Sequence, residues 1–354
     1  MKASFKLYSL VGLSIFSVLF IAALFLWSER ITHYENRFSR RYPPHVAQKT
    51  KQFDLKLNSY YFAGISDGKI YLGNKTAPLL MTVIDTALKQ KPLVFTIKLN
   101  RTNLPFRSPE VRVVSKTFFV FEGIAPYLFQ GNTETWDAKY VLGSGSRFTQ
   151  VAPIDSLNLA VRYSKRQSVL GNIILSDTLQ PKLADKLLEK QIDGILDVDG
   201  YLLFDQKANK IVYLYRYRNQ YIVTDPNLKL LHRGNTIDTI SKAKIKLAKV
   251  DNRNMTTYSE PPLIVNRMAA VSDGKLFVNS ALPGKYDKEN LWRKASIIDV
   301  YDLNDKSYQS SFPIYHIKKQ KPKGFIVSNK KLFALIGNHL VSYKLLDHLT
   351  VSKK

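Results

Sequence analysis

Short runs of alternating apolar and polar residues, separated by turn-forming pairs, fill most of the chain beyond residue 52. Residues 64–74 read GISDGKIYLGN, and residues 270–280 read AVSDGKLFVNS. Each stretch places Ser-Asp-Gly-Lys before an aliphatic, an aromatic and another apolar residue. An Asp-Gly pair tolerates the positive φ angles of a tight turn, so each stretch predicts a β-hairpin.

The same pattern recurs at 326–335 (IVSNKKLFAL) and, more loosely, from residues 113, 152 and 195. The intervals between successive copies are 49, 39, 44, 74 and 56 residues, measured between Asp67, Lys116, Asp155, Asp199, Asp273 and Asn329. Most are close to the roughly 40 to 50 residues of one four-stranded blade. The repeat therefore predicts an all-β fold, a six-bladed β-propeller with seven blades as the alternative.

The interval of 74 residues does not fit this period. It predicts either long outer strands in the fourth unit or a degenerate seventh blade between about 225 and 262. Residues 181–194 predict a short helix, with Leu183, Leu187 and Leu188 on one face, Pro181 at the start and Gly194 at the end. Residues 241–250, SKAKIKLAKV, fit a strand or a helix equally well.

Ring closure is predicted from the two ends of the repeat region. Residues 53–57 alternate apolar and polar side chains, and so do residues 340–345. If the two segments pair in one blade, the ring closes and an exposed sheet edge disappears.

The segment from Leu7 to Trp27 is 21 residues long and carries no charge. As a helix it would measure about 31 Å, close to the ~30 Å hydrocarbon core of a bilayer. We interpret it as a retained transmembrane anchor; a cleaved signal peptide and a buried core helix are the alternatives. Lys2 and Lys6 precede it and four arginines follow by residue 41, but a short head before a large domain favours a domain outside the cytoplasm.

This gives a basic head (1–6), the anchor (7–27), a juxtamembrane stalk (28–52), the propeller (53–348) and a basic tail (349–354). In the stalk, Arg37, Arg40 and Arg41 are expected either to contact anionic headgroups, at about 1 kcal/mol each, or simply to be solvated.

The chain of 354 residues has 53 Lys and Arg against 28 Asp and Glu, a net charge of +25. This excess favours anionic partners such as lipid headgroups, nucleic acid or glycans. No cysteine is present, which excludes disulfides, thiolate nucleophiles and Cys-ligated metal sites. An aromatic content of 12% is typical of strand-rich proteins.

The segments IIDVYDLNDKSYQSSFPI (297–314) and KLFALIGNHLVSYKL (331–345) each join a strand to a turn and an aromatic-rich strand. In this the chain resembles the six-bladed propellers of bacterial periplasmic and membrane-anchored proteins, over roughly residues 55–345. The resemblance implies architecture and no activity.

Signatures of catalysis are missing from the sequence. The six His residues show no metal-binding spacing, and no P-loop or nucleophile elbow occurs. The carboxylate pairs Asp197/Asp199 and Asp299/Asp302 are expected to cap turns rather than to act in catalysis or calcium binding. We therefore predict no catalytic residue, no metal site and no cofactor.

Two lysine-rich intervals and one aromatic strand are candidate surfaces. The first interval spans Lys318 to Lys331, and the second spans Lys242 to Lys249. Two roles are expected for these lysines: binding of an anionic lipid or glycan surface, or shielding of blade edges. Nucleic acid is not expected, because the anchor places the domain at a membrane. The aromatic strand contains Tyr and Arg residues, which are frequent in interface hot spots: Tyr213, Tyr215, Arg216, Tyr217 and Arg218. These side chains either form an interface or pack in the core of a blade.

The expected function is a membrane-anchored, extracytoplasmic binding, scaffold or sensor module. Its partners would be the lipid around the helix and a neighbouring membrane or periplasmic protein. The alternative is a propeller enzyme, such as a lactonase, glycan-active protein or dehydrogenase, with its site at the tunnel mouth.

Overall fold

The computed structural model describes residues 2–34, 36–105, 107–123, 125–143, 147–164, 166–175, 182–250 and 255–346. Its first element is a long helix, α1 (Lys2–Tyr34). Residues Tyr8–Trp27 of α1 are apolar enough and long enough to cross a membrane. The predicted tail, 349–354, lies outside the described residues.

The remaining chain forms strands, beginning with β1 (Ala47–Asp54). Blade 1 contains β2 (Tyr60–Ser66), β3 (Lys69–Asn74), β4 (Leu80–Asp85) and β5 (Leu93–Thr96). Blade 2 contains β7 (Glu110–Val114), β8 (Thr117–Glu122), β9 (Tyr127–Asn132) and β10 (Asp137–Gly143), with β6 (Lys98–Leu99) added parallel to β10. Blade 3 contains β11 (Phe148–Pro153), β12 (Asn158–Ser164), β13 (Ser168–Ile174) and β14 (Lys182–Ala184).

Blade 4 contains β15 (Gly200–Asp205), β16 (Lys210–Tyr215), β17 (Gln220–Thr224) and β18 (Leu230–Asn235). A separate hairpin follows, β19 (Leu247–Val250) and β20 (Met255–Tyr258). Blade 5 contains β21 (Asn266–Ser272), β22 (Lys275–Ser280), β23 (Ala295–Asp302) and β24 (Ser307–Tyr315), with the short helix α2 (Glu289–Lys294) before β23. Blade 6 contains β25 (Pro322–Ser328), β26 (Lys331–Ile336) and β27 (His339–Leu345), and β1 supplies its fourth strand.

These six sheets form a closed ring, which confirms the predicted propeller. The first strand of each blade faces the centre, and each inner strand contacts the inner strands of both neighbouring blades. Six apolar clusters fill the spaces between blades, each shared by two neighbours. Because a blade is covered on both faces, its middle strands are buried on both sides.

Ring closure occurs as predicted but over a longer segment. β1 pairs antiparallel with β27 from Ala47, opposite Leu345, to Asp54, opposite His339. The predicted pair of segments, around Phe53 and Leu340, lies at one end of this ladder. The propeller therefore takes up residues that the sequence had assigned to the stalk.

The hairpin prediction is confirmed at the closest repeats. Asp67 and Gly68 have φ angles of 49° and 71°, and Asp273 and Gly274 have 55° and 73°, as a two-residue turn between right-handed twisted strands requires. In the fourth unit the predicted position of the hairpin turn, Asp199, is wrong. Asp199 precedes β15, and the hairpin turn comes after Asp205.

Neither explanation of the long interval is correct. The outer strand β18 has only six residues, and the extra chain between blades 4 and 5 forms the two-stranded β19–β20 hairpin outside the ring. In the 241–250 segment, residues 247–250 form β19 and the preceding residues form no regular element.

The helix predicted over 181–194 is wrong. Lys182–Ala184 instead pairs with β13 as the outermost strand of blade 3. The buried carboxylate of Asp197 then accepts backbone N–H groups from Gln191, Ile192 and Gly194 at 2.6, 3.1 and 2.5 Å. These N–H groups are bound by a side chain, so an α-helical ladder cannot use them.

The antiparallel blades give the ring two distinct faces. We call the face where the inner strands begin the start face, and the face with the β-turns after the inner strands the turn face. Because α1 ends at Tyr34 and Phe38 contacts the β22–β23 connection, the chain leaves α1 at the start face. It then descends along blade 5 to Val46 at the turn face, and β1 returns along blade 6.

Candidate binding site at the start face

A tunnel runs through the centre of the ring and is lined by residues of all six inner strands. Its cavity volume is about 620 Å³. The lining reaches from Tyr60 and Glu110 at the start face to Ser66 and Pro153 at the turn face. A cavity of this size is within the range of small-molecule sites.

Charged side chains of the tunnel lining gather at the start face. Lys75, from the β3–β4 connection, and Lys323, from the beginning of β25, belong to the lining together with Glu110 and Arg112 of β7. Arg112 forms an ion pair with Glu110 at 2.9 Å, so this carboxylate is already engaged. The mouth is therefore net positive.

Lys323 differs from an ordinary surface lysine. Its ammonium donates to the backbone carbonyl of Asn58. Partial burial, with a further contribution from the positive charge of Lys75, lowers the pKa of Lys323 to about 8. An anion at the mouth would relieve this repulsion, since an opposite charge favours the charged form of lysine.

Below the mouth the walls are apolar or neutral. Phe62, Ile65 and Ile326 line them beside uncharged polar groups such as Gln150. The amide of Gln150 is occupied, because it donates to the carbonyl of Gly200 at 2.5 Å and accepts from the N–H of Leu202 at 2.7 Å. Nothing in this part of the lining has the pairing of base and nucleophile that acyl transfer requires.

Histidines and carboxylates do not form a metal site in the described part of the chain. No group of three or more potential ligands is found there. His232, His316 and His339 belong to blades 4, 5 and 6, and His316 contacts Ser296 Oγ at 3.2 Å. Burial lowers the pKa of His232 and of His316.

The paired carboxylates have separate structural roles. Asp197 caps the 191–194 loop, as described above, and Asp302 caps a turn by accepting from the N–H groups of Asn304 and Asp305 at 2.8 and 3.2 Å. Asp199 instead pairs with Arg162 at 2.6 Å. Asp299 was expected to cap a turn, and it binds Arg40.

The aromatic strand proposed as an interface is mostly core. Tyr213, Tyr215, Tyr217 and Arg218 are buried, and only Arg216 is half-buried. The guanidinium of Arg218 stacks 3.6 Å over the ring of Tyr215. Packing, the other interpretation of this strand, accounts for these side chains.

The first lysine-rich interval is divided between the two faces. On the start face, Lys318, Lys319 and Lys321 lie between β24 and β25, and Lys323 lies at the beginning of β25. Lys330 and Lys331 lie at the β25–β26 turn on the opposite face. In the other interval, Lys242, Lys244 and Lys246 are exposed on the start face.

Arg40 is the main departure from the predicted stalk. Its side chain is fully buried, and its Nε and Nη2 donate to the two carboxylate oxygens of Asp299 at 2.7 and 3.0 Å. Nη1 binds Asp287, and Nη2 also donates to Ser280 Oγ and to the carbonyl of Leu282 at 2.9 and 3.0 Å. We call these groups the Arg40 cluster.

Aromatic rings enclose the Arg40 cluster. The guanidinium lies 4.8 Å from the ring centre of Phe38 and 5.2 Å from that of Trp292. Burial alone would lower the pKa of Arg40, but the two carboxylates, Asp299 foremost, raise it. A headgroup-binding role is thereby ruled out for Arg40, while Arg37 and Arg41 remain exposed.

The Arg40 cluster attaches the chain that follows α1 directly to blade 5. Only one residue separates Tyr34, the end of α1, from Asn36, which is already buried. The N–H of Lys285 donates to the carbonyl of Phe38 at 2.9 Å, and the N–H of Ser311 donates to that of Arg41 at 2.8 Å. No free spacer of the predicted length separates α1 from the propeller.

No protein-family model and no curated protein matches this sequence. Among solved structures, the chain is similar to a member of the DUF4221 family from Bacteroides vulgatus, with 14% identity, a TM-score of 0.47, and coverage of 85% of this chain and 98% of the other. A catalytically inactive virginiamycin B lyase from Staphylococcus aureus, determined with quinupristin, gives 12% identity, a TM-score of 0.47, and coverage of 85% and 100%. A streptogramin B lyase gives 10% identity, a TM-score of 0.46, and coverage of 84% and 97%. At these identities nothing about activity follows for this chain.

Proposed function

We propose that this protein is a membrane-tethered binding module that holds a partner or ligand at the mouth of its tunnel. One observation carries the proposal: the start face bears both the attachment of the anchor and the net-positive mouth formed by Lys75, Arg112 and Lys323. A ligand presented at or near the membrane would meet this face first.

A binding role, rather than catalysis, is supported by the state of the polar groups in the tunnel. Glu110 is paired, Gln150 is bonded to the backbone, and Tyr61 accepts the N–H of Val111 at 2.8 Å. Burial raises the pKa of Tyr61 to about 12, which keeps it protonated at neutral pH. What remains for a ligand is a rigid, charged rim above neutral walls.

We further propose that the propeller lies outside the cytoplasm, because large domains beside a membrane helix are translocated largely regardless of their charge. The absence of cysteine permits a direct test by single-cysteine labelling in intact cells. A Lys89→Cys variant, exposed on the turn face, should react with a membrane-impermeant maleimide, and a Ser4→Cys variant should react only after lysis. The reverse pattern would place the propeller in the cytoplasm.

Binding is tested by purifying the full chain in a mild detergent and identifying what co-purifies. Replacing Lys75 and Lys323 together by Gln removes two charges of the mouth and should reduce the recovered partner or ligand. The matched control replaces Lys89 and Lys91, both exposed on the turn face, by Gln. Equal recovery from both double variants, or a chain that is always monomeric and without bound material, would contradict the proposal.

A further inference from the structure

The connection between β22 and β23 forms an exposed tip beside the end of the membrane anchor. It comprises residues 281–294, including α2, and lies on the start face of blade 5. Tyr286, at the tip, is 74% exposed, more than any other large apolar side chain described outside α1. The ammonium of Lys285 lies 5.3 Å from the centre of the Tyr286 ring.

The tip is held in place from within. The carboxylate of Asp287 accepts from the N–H of Gly284 at 2.7 Å, from Trp292 Nε1 at 3.1 Å and from the hydroxyl of Tyr42 at 2.8 Å. It also binds Arg40. Tyr286 is thus presented by an ordered loop. Contact of Tyr286 with a surface would therefore cost little conformational entropy of the loop backbone.

The exposed charges of the tip are mainly positive. Lys285, Lys288 and Lys294 are exposed, whereas Glu289 pairs with Arg293 and the buried carboxylate of Asp287 is bound by Arg40. Exposed Arg37 adds a further positive charge to the same surface. Tyr with neighbouring basic residues is the combination found where proteins meet the headgroup layer of a membrane.

Chain length limits how far the tip can lie from the bilayer. From Trp27 to Tyr34, α1 continues for about 10 Å, of which the headgroup layer takes roughly 5–7 Å. Four residues further on, at most about 15 Å of chain, the carbonyl of Phe38 is bound to Lys285 in the tip. Tilt of the helix and a chain that is not fully extended both shorten this distance.

We infer that the 281–294 tip docks on the surface of an anionic lipid bilayer, with Tyr286 in the headgroup layer and Lys285, Lys288 and Lys294 facing lipid phosphates. The inference rests on the membrane anchoring proposed above. It adds a second contact with the membrane, which fixes the orientation of the start face relative to the bilayer.

The test uses the full chain in lipid nanodiscs, with a fluorophore attached to a single introduced cysteine. Tyr286→Cys places the dye at the tip, and Leu157→Cys places it in the β11–β12 turn on the opposite face, where Leu157 is 45% exposed. With nitroxide-headgroup lipid in discs containing phosphatidylglycerol, quenching at position 286 should exceed that at 157 by about twofold or more, since the surface contact is short-ranged.

A charge arm completes the test. Changing Lys285, Lys288 and Lys294 to Gln should remove at least about half of the extra quenching, and so should replacing phosphatidylglycerol by phosphatidylcholine. Changing Lys89, Lys91 and Lys116 on the turn face to Gln should leave it unchanged. Equal quenching at 286 and 157 in chains that have entered the discs overturns the docking alone; chains that do not enter the discs overturn the anchor and the docking with it.

Discussion

The two faces of the propeller differ in how their charges are used. On the turn face, carboxylates bind backbone groups that are close in sequence: Asp155 accepts from the N–H groups of Leu157 and Asn158, and Asp85 accepts from those of Ala87 and Gln90. On the start face, Arg40 binds carboxylates that are 247 and 259 residues away in sequence. There the positive charge of Lys75 also acts on the ammonium of Lys323 and contributes to lowering its pKa. The repeated hairpins build the ring, and the irregular connections opposite them carry the features on which the proposals rest.

The largest expected effect comes from removing Arg40. Arg40→Ala leaves two carboxylates, Asp287 and Asp299, buried without their cation, and should lower the free energy of unfolding by about 3–5 kcal/mol. Arg41→Ala, at an exposed neighbour, should cost less than about 1 kcal/mol. Urea unfolding of the detergent-solubilised chain measures both.

Equal costs for the Arg40 and Arg41 variants would contradict the attachment of the chain after α1 to blade 5 through the Arg40 cluster. The double variant with Asp299→Asn provides a check, because neutralising one carboxylate should recover part of the stability lost in Arg40→Ala.

A smaller effect is expected at the turn face. Gly68 has a φ of 71° with open space where a Cβ would be, so Gly68→Ala tests backbone strain alone and should cost about 1–2 kcal/mol. The control is Gly324→Ala at the beginning of β25. A Cβ atom at position 324 would lie 3.6 Å from the Phe62 side chain, which is an ordinary van der Waals contact. A larger loss at Gly324 than at Gly68 in thermal unfolding would refute the turn geometry.

A buried carboxyl of the start face should make stability depend on pH. Burial, partly opposed by a hydrogen bond from Thr236, raises the pKa of Asp238 from 3.8 to about 6. The folded state therefore favours the protonated form of Asp238. The contribution of this protonated carboxyl to the free energy of unfolding is complete below about pH 4 and is lost as pH rises through 6. Asp238→Asn removes this loss.

Between pH 5 and pH 8, the variant should gain about 1 kcal/mol relative to the unchanged protein. Chemical denaturation at a series of pH values measures this difference. A difference that stays constant with pH would show that Asp238 does not titrate in this window.

The smallest effect concerns Lys323. In the reductively ¹³C-methylated protein, the Lys323 signal should titrate near pH 8, in agreement with the lowered pKa. Lys75→Gln removes one cause of that lowering and should raise the midpoint, whereas Lys89→Gln on the other face should not. An unchanged midpoint in Lys75→Gln would contradict the proximity of the two ammonium groups at the mouth.

Local patterns predicted the parts of this fold that depend on neighbouring residues. The Asp-Gly turns at 67 and 273 set their own backbone angles. The spacing of the six related segments predicted the ring, and the alternating residues at 53–57 and 340–345 predicted its closure. The helix prediction for 181–194 is wrong although the leucine pattern there is typical of a helix. The carboxylate of Asp197 binds backbone N–H groups of this loop and so competes with helix formation.

The candidate site was not predictable, because its contacts are distant in sequence. Nothing near Arg40 indicates that residues 287 and 299 enclose it, so its basic neighbours made it resemble a solvated stalk residue. The alternation at 213–218 identified a strand but not its surroundings, since blades cover both faces. The mouth combines a strand connection at Lys75 with a strand start at Lys323, which only the closed ring brings together.

The most direct test of the account measures which face lies nearer the bilayer. Energy transfer to acceptor lipids in nanodiscs is compared for dyes on Arg107→Cys, in the start-face connection before β7, and on Lys116→Cys, at the β7–β8 turn. Because the intervening strand of five residues spans about 17 Å, the dye at 107 should be closer to the bilayer by roughly that distance. Equal distances, or a dye at 116 that lies nearer, would contradict the claim that the start face is turned toward the membrane.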